Sequence, residues 1–248
     1  MTTDITTLAL IGVIFLLAGG VKGVVGLGLP TVSLALLTVT MDLKQAMALM
    51  LVPSFVTNLW QGMVGGHARH LLARCWPFLV LATVCVALGA VGLHHLRTVL
   101  LTALLGFAIA TYALLGLSGL KLSLTPGRER WLGPLCGVAN GVLTGLTGSF
   151  VVPGVLYLQA LGLSRDQLVQ AMGILFTLST LSVGLALGGG RLLTVELGLM
   201  SSAGLLPALF GMWCGQKLRH RLSEQRFRQV FFIALLIVGG YLAVKGLF

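Results

Sequence analysis

Two stretches decide the fold: Val21-Lys-Gly-Val-Val-Gly-Leu-Gly-Leu-Pro30 and Gly141-Val-Leu-Thr-Gly-Leu-Thr-Gly-Ser-Phe-Val-Val-Pro153. Both lie inside long apolar runs, and both concentrate glycine and proline. In a helix interior a glycine costs ~1 kcal/mol and a proline ~3 kcal/mol relative to alanine. A helix entering either stretch is therefore predicted to break there. Past the first break the remainder, Thr31 to Met41, is too short to cross a bilayer, which takes about 20 apolar residues. The second run, Trp131 to Ser164, is too long for one crossing and is expected to break around Gly145–Pro153.

Outward from these breaks the chain is a succession of charge-free runs: Ile5–Val21, Gly23–Met41, Ala46–Val64, Trp76–Leu93, Thr98–Leu120, Trp131–Ser164, Gln167–Gly190, Leu197–Gln216 and Gln229–Val244. Of the 248 residues 57% are hydrophobic and 9% charged, against about a quarter charged in a soluble domain. The runs read as membrane spans. Lipid admits only helices or closed barrels, and the short alternating segments of a barrel are absent. The prediction is an all-α polytopic membrane protein, one membrane domain over residues 1–248. The first run has no basic residue before it and no cleavage site followed by a soluble domain, so it reads as a retained span and not a signal peptide.

The two breaks are related to each other. Gly19, Gly23 and Gly26 precede Gly141, Gly145 and Gly148 by a constant offset of 122, Pro30 precedes Pro153 by 123, and Gln45-Ala46-Met47 precedes Gln170-Ala171-Met172 by 125. Gly89 and Gly211 return to 122. An internal duplication follows, with repeat 1 over residues 1–120, repeat 2 over 131–248 and a cytoplasmic linker over 121–130. Suppose each broken segment is a hairpin that enters and leaves on one side, followed by three full spans. Then eleven of the sixteen basic residues (Arg69, Arg74, Lys121, Arg128, Arg130, Arg165, Lys217, Arg219, Arg221, Arg226 and Arg228) share one side. Lys44, Arg97, Arg191 and Lys245 fall on the other. Positive loops are cytoplasmic, so an odd number of spans per repeat gives two inverted repeats, each a broken helical hairpin plus three transmembrane helices. Full crossings of the broken segments would instead give parallel repeats and lose the charge alternation.

The net charge of +10 raises nucleic acid as a partner, but the basic residues occupy short gaps between spans, where anionic lipid is the neighbour. Cys75, Cys85, Cys136 and Cys214 are scattered singly and read as packing residues, with no disulfide framework or redox pair. His67-x2-His70 and His94-His95 lack a third ligand, so no metal site is expected. No Gly-x-Ser-x-Gly or other nucleophile motif occurs, no cofactor motif is read, and an enzyme is not expected. Asp42 and Asp166 open helices, and Asp42-x2-Gln45 and Ser164-x2-Gln167 read as N-terminal caps. No acidic residue sits at the centre of a span to form a proton relay.

What remains is anion chemistry. A broken helix frees backbone N–H groups and presents a positive helix end near the midplane, and glycine admits an anion close to those groups. The candidate substrate-binding residues are Gly23, Gly26 and Gly28 in the first arm and Gly145 and Gly148 in the second. Gly19-x3-Gly23 and Gly141-x3-Gly145 can also be read as close-packing helix faces, whereas for Gly26, Gly28 and Gly148, next to the prolines, the binding reading is preferred. Lys22 is the one basic residue within the first break, and an intramembrane charge calls for a role; snorkelling to the interface is its bland alternative. Asn140, Thr144, Thr147 and Ser149 supply neutral donors around the second break. Asn58 and Gln61 lie one turn apart in the next span, and Gln45 and Gln170 occupy matched positions after the breaks. These amides serve either the substrate or helix-to-helix hydrogen bonds.

The arms Gly19-Gly20-Val-Lys-Gly-Val-Val-Gly-Leu-Gly-Leu-Pro30 and Gly141 to Pro153, with Gln-Ala after each, resemble the TauE/SafE family over essentially the whole chain. That resemblance implies a multi-pass permease of the cell membrane, taken as the bacterial inner membrane, exporting sulfite or an organosulfonate bound between the two glycine-rich breaks. The second arm has Ser149-Phe150 where the family usually continues with glycines, which loosens the tie to sulfite itself. Expected partners are a small anion and the lipid bilayer, with a homo-oligomer left open. A carrier of another anion such as a carboxylate is the alternative within transport. A membrane thiol-redox or assembly protein would call for matched cysteines, and none of the four has a cysteine at its repeat position.

Overall fold

The computed structural model describes residues 5–120, 123–190, 192–219 and 223–247, and these form helices and no strand. In chain order they are α1 Ile5–Val25, α2 Leu29–Thr40, α3 Leu43–Met63, α4 Ala68–Val84, α5 Val86–His95, α6 Thr98–Ser118, α7 Pro126–Thr147, α8 Gly154–Ala160, α9 Arg165–Gly189, α10 Val195–Arg219 and α11 Glu224–Lys245. Lys121, Arg191 and Arg221 lie outside the described residues. The α4 and α5 pieces form one 28-residue rod, Ala68–His95. That rod, α1, α6, α9, α10 and α11 give six segments long and apolar enough to cross a membrane. The chain is a multi-pass membrane protein. Leu17, Leu88, Phe107, Leu185, Phe210 and Ile237 are each more than half exposed, a surface that hydrocarbon covers without cost. By contrast α3 and α7 carry buried polar groups: Ser54, Thr57 and Asn58 on one, Asn140, Thr144 and Thr147 on the other.

Close helix pairs set the frame, and glycine makes them close. A methyl group on Gly19 would lie 2.1 Å from the Ala208 carbonyl oxygen, and one on Gly23 2.2 Å from that of Met212, so α1 runs parallel to α10. Gly137 faces Phe78 and Gly145 faces Val86, so α7 runs parallel to the α4–α5 rod. Gly62 abuts Gly173 while Gly184 lies nearest Leu51, which makes α3 and α9 antiparallel. Likewise Gly106 meets Ala243 and Gly116 meets Phe232, so α6 and α11 are antiparallel.

The chain breaks close to where its glycines and prolines place it, but later than expected. Helix α1 continues through Val25, so Lys22 and Gly23 lie in its last turns, and the break is confined to Gly26–Gly28. Gly26 and Gly28 have φ of 84° and 113°, a region in which a side chain is strained and glycine is not. Pro30 then opens α2 in its first turn, where its missing N–H costs nothing. Helix α7 likewise runs on through Thr147, enclosing Gly145. After Gly148 the chain passes through Ser149–Pro153 into α8, which is only seven residues long.

Both arms turn back. Leu124 N donates to Ala160 O at 2.8 Å, joining the start of the second arm to its end. At the other end of the molecule Lys245 Nζ donates to the carbonyls of Thr38 and Val39 at the end of α2. The expected caps form. The Asp42 carboxylate accepts from Lys44 N at 2.8 Å, and Ser164 with Gln167 makes a reciprocal capping box. Pro53 inside α3 removes the donor that would reach the Leu49 carbonyl, and Ser201 Oγ from α10 donates to it instead at 2.7 Å.

One face of the bundle gathers the connections before α4, α7 and α9. His67 N donates to Gln170 Oε1, and Arg74 pairs with Glu129 at 2.6 Å and donates to Leu161 O. Trp60, Trp76, Trp131 and Trp213 are all at least half exposed, and each lies within about two turns of a helix end on this basic face. Lys217 Nζ sits 3.7 Å over the Trp213 ring. Indole rings of this kind settle at the headgroup level.

Candidate functional site

Helix α1 carries a buried lysine one turn before the first break. Lys22 is 4% exposed, and its ammonium donates to Thr57 Oγ1 at 3.1 Å and to Asn58 Oδ1. Thr57 commits its own proton to the Pro53 carbonyl at 2.7 Å, so it turns a lone pair toward the lysine. Both acceptors are neutral. Asn58 Nδ2 and Ser54 Oγ beside it on α3 are buried and have no protein partner. The site thus presents a buried lysine amine beside spare donors, groups that can receive an oxyanion.

The second break is neutral. Asn140 Oδ1 accepts from Gly154 N at 3.0 Å, which seats the start of α8 on α7. Thr144 Oγ1 donates to Ser149 O at 3.0 Å, and Ser149 N donates to Thr147 Oγ1 at 3.2 Å. These bonds satisfy backbone that would otherwise be exposed at membrane depth, where irregular chain survives only when enclosed by protein. Asn140 Nδ2, Ser149 Oγ and, on α9, Ser179 Oγ remain buried donors without a protein partner.

One stripe of α3 connects Lys22 with the second break. A methyl at Gly148 would lie 2.7 Å from Met47 Cγ and 3.3 Å from Met50 Cε, so the second break rests on Met47 and Met50. Lys22, before the first break, bonds Thr57 and Asn58. Residues 47, 50, 54 and 57/58 recur at the three- and four-residue spacing of a single helix face. From Met50 to Thr57 is about 10 Å of helix rise. Lys22 and the second break therefore contact one stripe of α3 about two turns apart, with Ser54 between them.

The other expected site residues stand apart from the Lys22 contacts. Gly23 and Gly145 lie at helix crossings, against Met212 and Val86. Gln61 Nε2 donates to Val169 O, and Gln170 bridges Gly62 O and His67 N, so both amides tie α3 to α9. Gln45 is half-buried in the first turn of α3. Gly26 has open space beside it, its nearest neighbour to an added methyl being Val169 at 3.5 Å. Ser54 and Ser179 were not singled out from sequence. Their separation of 125, the same as that of Gln45 and Gln170, was the available signal.

A cleft of about 580 Å³ opens between α6, α8, α9 and α11, lined by Tyr112, Gln159, Leu168, Arg228 and Phe232 among others. Leu120 at the end of α6 and Arg228 near the start of α11 place it toward the basic face. Nothing in the sequence pattern marks these residues as a group.

The family model described as "Sulfite exporter TauE/SafE" matches residues 11–242. No curated protein and no solved structure matches the chain.

Proposed function

We propose, from the premise that the chain belongs to the TauE/SafE sulfite exporter family, that it carries a small oxyanion, sulfite or an organosulfonate, past the buried ammonium of Lys22. Transport is the activity read here, and no residue is given a catalytic role. The observation that carries the reading is the Lys22 contact set: a buried charge whose two acceptors, Thr57 and Asn58, are neutral. A charge removed from water without a counterion costs several kcal/mol. An oxyanion arriving at Lys22 supplies that counterion and takes up the spare donors of Asn58 and Ser54. The anion then moves along the α3 stripe between the levels of the two breaks, meeting Asn140 and Ser149 at the neutral end.

The same proposal takes the halves as inverted repeats with the basic face in the cytoplasm. Support comes from the counterpart helices α3 with α9 and α6 with α11, each pair antiparallel, and from the lysine and arginine excess of the basic face. Both termini then lie outside the cytoplasm. The alternating-access motion of such a fold is a rocking of one repeat against the other around the midplane.

The test is equilibrium binding of sulfite, sulfoacetate and acetate to the protein in nanodiscs, for wild type and Lys22→Gln. A charge-assisted hydrogen bond is worth ~1.5–3 kcal/mol, so Lys22→Gln should weaken sulfite and sulfoacetate binding about 10- to 100-fold with thermal stability kept. Tighter binding of acetate than of either sulfur oxyanion would instead make the chain a carboxylate carrier. Equal sulfite and sulfoacetate affinity in wild type and variant would remove Lys22 from the site.

A further inference from the structure

The cleft toward the basic face is not needed to explain the Lys22 site, and its chemistry is not that of a packing defect. Arg228 is exposed at its mouth. Gln159 of α8 is half-buried in its wall. Tyr112 lines it from α6, and its phenol hydroxyl, fully buried, has no protein partner. A buried hydroxyl left without a hydrogen bond costs ~1–3 kcal/mol, and a ligand oxygen is the group that would relieve it. Among leucines, glycines and Phe232, one cation, one amide and one hydroxyl around about 580 Å³ are the few convergent polar groups that orient a small oxyanion.

The inner end of the cleft is closed by an aromatic pair. The Phe232 ring packs edge-on to Tyr112 with centroids 5.3 Å apart, and it occupies the space over Gly116, where a methyl would lie 2.3 Å from the ring. Arg228 lies 5.9 Å from the same ring. The adjoining Phe231, 5.2 Å from Phe232 between centroids, lies against Gly28 of the first break. On the α9 side Leu168 lines the cleft while its neighbour Val169 lies beside Gly26. The chain neighbours of two lining residues, Phe231 and Val169, thus lie against the first break.

We infer that this cleft is a second anion site, the cytoplasmic antechamber of the path, where Arg228, Gln159 and Tyr112 hold the oxyanion and Phe231–Phe232 gates its passage to the first break. The inference rests on the transport reading above and on the basic face being cytoplasmic. Arg228 attracts the anion from solution, and the buried donors strip part of its water. The ring over Gly116 must swing aside before the anion reaches Lys22.

The experiment measures sulfite transport in right-side-out and inside-out vesicles, varying sulfite on one face at a time. Arg228→Gln should raise the half-saturating concentration on the basic face by roughly fivefold, the effect of a charged hydrogen bond weakened by solvent, and leave the opposite face unchanged. Arg228→Lys should restore most of it. Tyr112→Phe should raise the same constant about threefold while leaving thermal stability equal or higher, because the hydroxyl it removes has no protein partner. A purely structural role for either residue would shift both faces together, and that result overturns the inference, as does no shift on the basic face. Lys22→Gln, run in parallel, separates the two readings. Loss of transport there with no one-sided effect of Arg228 leaves the transport reading standing and the antechamber gone. Normal transport by Lys22→Gln removes the transport reading's site, whatever Arg228 does.

Discussion

Gly145→Ala separates a packing glycine from a binding glycine, and the structure fixes the size of its effect. The added methyl would stand 2.2 Å from the Val86 carbonyl oxygen, 2.7 Å from Ala90 N and 2.8 Å from Gly89 C. All three are backbone atoms of α5, so no rotamer change relieves the clash. Restoring ordinary contact near 3.5 Å needs α7 and α5 to part by about 1 Å. Overpacking of a tight interior costs ~1–3 kcal/mol, and a clash confined to backbone belongs at the upper end, about 3 kcal/mol. For a chain of this size each kcal/mol moves the melting temperature by about 2–4 °C, so a fall of about 6–12 °C is expected. The control is Gly184→Ala on α9, where the nearest atom to the new methyl is a Leu51 methyl at 3.8 Å. There the better helix propensity should add up to ~1 kcal/mol and raise the melting temperature by about 2–4 °C. Thermal melts of purified protein in one detergent, with sulfite titrations of the folded protein, read both quantities. Sulfite affinity should be unchanged in both variants. A Gly145→Ala protein as stable as wild type refutes the crossing geometry, and a stable one with lost affinity returns Gly145 to the site.

Gly26→Ala should act differently, since Val169 lies 3.5 Å from the new methyl and only the left-handed φ of 84° is strained. A loss of ~1–2 kcal/mol is expected from that conformation, with melting lowered by about 2–8 °C; a fall as large as that of Gly145→Ala would show a clash that the structure does not contain. For topology, single cysteines placed at residues 66 and 127 in a background without Cys75, Cys85, Cys136 and Cys214 should resist a membrane-impermeant maleimide in intact cells. A cysteine at residue 97, between α5 and α6, should react. The reverse pattern would turn the protein over in the membrane and make the antechamber an external one.

Some of this architecture was legible because it is local. Gly26, Gly28, Pro30, Gly148 and Pro153 impose their backbone consequences wherever they stand, and the caps at Asp42 and Ser164 likewise depend on neighbours two or three residues away. Gly23 and Gly145 look the same in a sequence, yet both are helical. Each lets a helix backbone approach α10 or α5, and that tertiary packing outweighs the helix propensity that predicted a break. Charge-free runs also set the start of the third long segment too late. Helix α4 begins at Ala68 and carries Arg69 and Arg74, because Arg74 finds Glu129, 55 residues on, to pair with at the membrane surface. The cleft between α6, α8, α9 and α11 was invisible for the same reason. Tyr112 and Arg228 share no local pattern, and only the antiparallel pairing of α6 with α11 brings them together.

The duplication is least faithful where the chemistry is most specific. At the offset of 122, Lys22 corresponds to Thr144. Lys22 reaches across to α3, whereas Thr144 turns back and donates to Ser149 O in its own arm. One arm therefore sends its polar residue to α3, and the other uses it to hold irregular backbone in place. A second lysine at the Thr144 position would free that backbone carbonyl and put two ammoniums roughly 10–15 Å apart along the α3 stripe. Such a pair repels by only ~1–2 kcal/mol at an effective dielectric constant of 20, less than either would gain from an anion. The likelier cost would fall on release, since conduction through a narrow path needs binding weak enough to leave. A single charge at the first break, with hydroxyls and amides beyond it, gives an oxyanion one favourable stop and a neutral way out.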